Sequence, residues 1–120
     1  MMREPQTYRG GCHCGNVRFE VTTDLARVVE CNCSHCSRKG FLLTFVTAEN
    51  FRLLQGEDAL TDYQFNRRIG HHLFCTSCGV ESFWRSTRTD GTKMVSANVR
   101  CLDDVVPGSF TVTHVDGKNR

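Results

Sequence analysis

Seven cysteines of this chain fall into three tight groups: Cys12 and Cys14 as C-x-C, Cys31, Cys33 and Cys36 as C-x-C-x-x-C, and Cys75 and Cys78 as C-x-x-C. Cys101 stands alone. Thiolates around a tetrahedral zinc lie about 3.7 Å apart, an edge set by a Zn–S bond of about 2.3 Å. Residues one or two apart at a tight turn reach that separation, whereas a disulfide between such close neighbours is strained. The opening stretch, Met1–Gly10, is polar and carries Arg3, Glu4 and Arg9, unlike an export signal. The cysteines therefore read as metal ligands in a reduced protein rather than as a disulfide framework.

Seven clustered thiols divide most simply into four and three, matching the two kinds of zinc site that proteins build. A site with four protein ligands is structural, and one with three keeps a position open. Knuckles from distant parts of a chain commonly share one tetrahedron, which assigns Cys12, Cys14, Cys75 and Cys78 to the closed site. Gly15 and Gly79, one after each knuckle, permit the tight backbone that turns amides toward sulfur. Cys31, Cys33 and Cys36 then hold a second zinc from one short segment. Its fourth position could be closed by Cys101 or by one of His13, His35, His71, His72 and His114, which would make it a second structural centre. Cys101 reads more naturally as a small buried apolar residue. A redox role for Cys75 and Cys78 would need a strand followed by a helix, and the residues that follow read as another strand.

The elements that must carry these ligands are β-strands. Val17, Phe19 and Val21 alternate with Arg18, Glu20 and Thr22, the period of a half-buried strand. Similar runs occur at Ala26–Glu30, Phe41–Thr47, Phe51–Leu54, Asp62–Phe65, Ile69–Phe74, Glu81–Arg85, Lys93–Val99 and Phe110–Val115. Glycines punctuate them, Pro107-Gly108 marks a turn, and Ser34–Lys39 suits a turn or a single helical turn. The expected fold class is all-β, pinned by metal, with the second site on an exposed loop. With 120 residues, 39% of them hydrophobic and 23% charged, the chain has room for one domain and one modest core. A net charge of +2 supplies no field that argues for nucleic acid or an anionic membrane. No apolar run reaches membrane-spanning length, and the expected location is the cytoplasm.

The stretches GGCHCGNVRFE (10–20), CNCSHCSRKG (31–40), HLFCTSCGVESFW (72–84) and NVRCLDDV (98–105) closely resemble the glutathione-dependent formaldehyde-activating enzyme family, which includes the centromere-protein V-like domains. The resemblance covers roughly residues 7–107, within what is expected to be a single zinc domain over 1–120. It implies a zinc-clasped β-tent of small antiparallel sheets. It also implies a structural zinc on Cys12, Cys14, Cys75 and Cys78, and a catalytic zinc on Cys31, Cys33 and Cys36. The implied activity is carbon–sulfur lyase or synthase chemistry: formation or cleavage of S-hydroxymethylglutathione from glutathione and formaldehyde. Three thiolates leave zinc with a net charge of −1, a weak Lewis acid toward water that is better suited to holding a substrate thiol as thiolate. Arg38 and Lys39, just after Cys36, are candidates to offset that charge and to hold the tripeptide's carboxylates. The alternative for the pair is an ordinary solvated surface. His72 and Asn98 fall within the matching stretches and are candidates to orient groups around the site, against a plain core or strand-end role for each.

Two other function classes compete. Zinc nucleobase deamination wants His/Cys-x-Glu and Pro-Cys-x-x-Cys around one metal. Here Phe74 precedes Cys75, and Asn32 or Ser34 stands where a glutamate is needed. A non-enzymatic two-zinc module that binds protein or nucleic acid is the principal alternative. Its support is Arg67-Arg68, Arg85, Arg88 and Lys93, which are interspersed with acids.

Overall fold

The computed structural model describes residues 4–32, 34–64, 71–105 and 110–116, and of Ser34 only the backbone. Cys33, the pair Arg67-Arg68, the start of the Ile69–Phe74 run and the Pro107-Gly108 turn lie outside the described residues. Among the described residues ten strands form two sheets. β1 (Gln6–Gly11), β2 (Arg18–Thr23) and β5 (Phe51–Gln55) make a three-stranded antiparallel sheet in the order β1-β2-β5. The larger sheet has the order β10-β3-β4-β9-β8-β7-β6. Its strands are β3 (Val28–Cys31), β4 (Leu43–Thr47), β6 (Leu60–Tyr63), β7 (His71–Cys75), β8 (Phe83–Thr87), β9 (Lys93–Asn98) and β10 (Val112–Val115). All its pairings are antiparallel except β10 beside β3, which is parallel. The all-β expectation holds. β1 escapes the alternation rule because its residues run from exposed to buried along the strand rather than alternating.

Directly opposed residues on neighbouring strands share a sheet face, and alternate residues of one strand face opposite ways. One face of the larger sheet therefore carries the row Leu73, Phe83, Ala97 and Thr44. It belongs to the core between the sheets. There Phe19 of β2 stacks on Phe51 at 5.2 Å, and Phe83 meets Phe51 at 4.7 Å, a three-ring contact that joins the layers. Val17, Val21, Val28 and Val95 fill the space around it.

The opposite face carries the row Tyr63, His72, Trp84, Ser96 and Phe45 across β6, β7, β8, β9 and β4. The same pleat puts Leu43, Val29 and Cys31 on this face, since Leu43 opposes Val29 and Cys31 follows two residues on. α1 (Ser34–Lys39), a single short helix, packs here. Cys36 is buried in a small cluster with Phe41 and Leu43, against which Cys31 and Trp84 pack. Arg38 and Lys39 lie in its last turn, where cations suit the helix dipole.

Candidate metal centres and an adjoining cavity

Cys12 and Cys14 sit on the turn between β1 and β2, and Cys75 ends β7 with Cys78 in the turn after it. The four sulfurs lie within 4.8 Å of one another. Cys14 Sγ is 3.6 Å from Cys12 Sγ and 3.6 Å from Cys75 Sγ, close to the tetrahedral zinc edge. Gly15 and Gly79 adopt φ of +86° and +80°, the left-handed region that each knuckle needs to turn back. The Val17 amide donates to Cys12 Sγ at 3.3 Å. The sulfur cluster resists full ionisation by itself. The Val80 amide holds Cys78 down to about 6. The Asn16 amide pulls Cys14 down too, but burial and the thiols of Cys12, Cys75 and Cys78 push it up to about 12. Four thiolates this close repel one another, and a divalent cation at their centre removes that repulsion. The donor set therefore fits a tetrahedral metal such as zinc.

The outer face of the larger sheet holds a second set of groups. Cys31 and Cys36 open onto a cavity of about 400 Å³, together with Trp84, Phe45, Leu43 and Arg27. Arg27, Val29 and Cys31 recur at every second position, which is how a strand and its lead-in present three side chains to one cavity. The expected exposed loop does not describe Cys36, which lies on α1 and is only 4% exposed.

Beside this cavity His35 reaches in from α1, His72 from β7 and Glu81 from the loop before β8. Their ligand atoms lie within 4.8 Å of one another. His35 Nε2 is 3.6 Å from Glu81 Oε1, and His72 Nδ1 is 3.7 Å from Glu81 Oε2. The two imidazoles are 4.3 Å apart. His72 stacks on Trp84 and His35 on Tyr63. Burial pushes the His35 imidazolium below its usual range, opposed by the Glu81 carboxylate and assisted by His72 and Lys39. The cluster could hold a metal ion as two imidazoles and a carboxylate.

Comparison with known proteins adds to this geometry. Residues 7–113 match the family model of the glutathione-dependent formaldehyde-activating enzymes. This chain belongs to the glutathione-dependent formaldehyde-activating enzyme family. Its fold is similar to the crystal structure of a Rhodobacter sphaeroides protein, a structural genomics target, with a TM-score of 0.75 and 33% sequence identity. That similarity covers 88% of this chain and 99% of the other.

Within this member of the glutathione-dependent formaldehyde-activating family, the other singled-out residues occupy varied places. Arg38 is exposed, and Lys39 Nζ lies over the Phe74 ring at 5.7 Å. Asn98 donates from Nδ2 to the Glu81 carbonyl and accepts from the Arg100 amide, so its amide shapes the backbone beneath Glu81. His72 is buried at the site, whereas His13, His71 and His114 are exposed, with His71 paired to Asp62 and His114 to Glu30. Cys101 is half-buried rather than fully buried, and burial pushes its thiol up to about 11. Glu81, Arg27 and Trp84 escaped sequence reasoning as site groups. Glu81 stands in a loop with no periodicity, and its approach to His35 depends on how α1 packs over β7. Among the described residues no helix is long and apolar enough to cross a membrane.

Proposed function

We propose that this chain is a zinc-dependent carbon–sulfur lyase or synthase that makes or breaks S-hydroxymethylglutathione, or the adduct of a related small thiol and aldehyde. The reading assigns Cys12, Cys14, Cys75 and Cys78 to a structural zinc, and Cys31, Cys33 and Cys36 to a catalytic one. The cavity shared by Cys31 and Cys36 with an aromatic wall and one arginine, in a chain of this family, carries the reading.

Zinc on three thiolates would supply a position where a substrate thiol is held as its nucleophilic thiolate. The chain's own residues have separate tasks. Trp84 and Phe45 wall the cavity and limit water around the reacting carbon. Arg27 offers a planar cation to a carboxylate of the peptide-like substrate. Arg38 and Lys39 at the end of α1 add positive field beside Cys36. In the forward direction the sulfur–carbon bond forms as the aldehyde π bond opens, and the thiol's proton ends on the new hydroxyl. No electrons leave the pair of substrates, so no redox partner is needed. Holding both reactants in one cavity is the principal source of rate enhancement.

The experiment is a glutathione titration of cobalt-substituted protein, followed by exchange spectroscopy of formaldehyde with glutathione. A glutathione-dependent change in the thiolate-to-cobalt absorption, together with accelerated exchange, supports the proposal. Full metal occupancy with no response to glutathione overturns it and leaves a two-zinc binding module.

A further inference from the structure

We propose that His35, His72 and Glu81 form a third metal site, separate from both cysteine sets, which takes a divalent ion of the zinc class. The three groups come from different elements, α1, β7 and the loop before β8, and converge in the interior. The Glu81 side chain is 3% exposed, and those of His35 and His72 are 8% and 5% exposed. A carboxylate so buried needs strong compensation. Yet Glu81 Oε1 has no hydrogen-bond partner among the described residues. The His35–Glu81 and His72–Glu81 separations of 3.6 and 3.7 Å are too long for hydrogen bonds. They are close to the edge of about 3.3 Å that metal–nitrogen and metal–oxygen bonds of about 2.0–2.1 Å produce around a tetrahedral ion.

The donor chemistry also selects the ion. Two imidazoles and one carboxylate suit zinc and its neighbours in the first transition row, and are poor donors for calcium or magnesium. The surroundings hold the rings in place: Trp84 stacks on His72 at 4.4 Å, and Tyr63 on His35 at 5.7 Å. An ion here ties α1 to the sheet, and α1 carries Cys36. The site would therefore stiffen the wall of the cavity used in the proposed thiol chemistry, although its existence does not depend on that chemistry.

The test is zinc content and zinc X-ray absorption on the untagged chain, loaded with excess zinc and then desalted. Imidazole scattering is expected in the wild-type spectrum beside the sulfur shell. Glu81→Gln should lose one zinc per chain together with that scattering, and Cys33→Ser should keep the scattering. Should Glu81→Gln fail to fold, His72→Gln, which retains the carboxylate, is read in the same way. A wild-type spectrum without imidazole scattering overturns the proposal, and so does a Glu81→Gln protein with unchanged zinc content and spectrum. Loss of the imidazole signal in folded Cys33→Ser also overturns it, because the histidines would then belong to the cysteine centre.

Discussion

Cys14 Sγ and Cys75 Sγ lie 3.6 Å apart although 61 residues separate them in the chain. One sulfur comes from the turn of the small sheet and the other from the end of β7 in the large one. A metal between them would staple the two layers that the Phe19, Phe51 and Phe83 contacts also join. Binding and folding are then coupled, since the unfolded chain has no such cluster. Cys75→Ser and Cys12→Ser should each abolish tight metal binding at this centre and leave a severely destabilised, poorly soluble chain. Thermal melting with metal analysis checks this. A normally melting Cys75→Ser protein with undiminished metal content would remove the assignment.

Cys101 predicts the opposite behaviour. Burial, with the charges of Cys12, Cys78 and Glu81, raises its thiol from an ordinary value near 9 to about 11. A folded-state value above the unfolded one favours the neutral thiol in the fold. The contribution of this thiol to stability is therefore level below pH 9 and declines as pH rises from 9 to about 11, by about 2–3 kcal/mol across the window. Cys101→Ala should flatten this alkaline decline in a denaturant series and leave metal content unchanged. A lost metal equivalent would instead identify Cys101 as a ligand.

The strands and the four-cysteine cluster were legible because both are local patterns: a period of two, and pairs of thiols with a glycine behind each. Cys12 and Cys14 announce a knuckle without reference to the rest of the chain. The parallel pairing of β10 with β3 was not legible, because the alternation of Val112–Val115 is the same for either direction. Glu81 was hidden for a related reason. It becomes a partner of His35 only when α1 settles on the outer face of the sheet, and no spacing in the sequence records that packing. Arg27 and Cys31 do share a face by their spacing of four along an extended segment, but the cavity beside them also needs Trp84 from β8.

Arg27 provides the next prediction. It is the cation lining the cavity among the described residues, beside Cys31, and the proposed substrate carries carboxylates. Removing a charge-assisted contact of this kind costs about 1.5–3 kcal/mol. Arg27→Gln should raise the KM for glutathione about tenfold or more and change kcat little, since the contact is made equally before and during the reaction. The residue is exposed, so melting should be unaffected. An unaltered KM would shift the carboxylate contact to Arg38 or Lys39, for which Arg38→Gln is the matching test.

Cys33→Ser separates the two cysteine sets. The proposed catalytic ligands come from one segment of six residues around the start of α1, so their metal closes no long loop. The sheets remain joined by the Cys12, Cys14, Cys75 and Cys78 cluster and by the aromatic contacts of the core. Cys33→Ser should therefore lose one zinc and all thiol–aldehyde exchange while keeping a cooperative melt and the strand signal in circular dichroism. The contrast with Cys75→Ser is the decisive quantity, because both variants remove a single sulfur. If Cys33→Ser were as unfolded as Cys75→Ser, the middle cysteines would be holding the fold together, and the open coordination position required for a substrate thiol would have no basis.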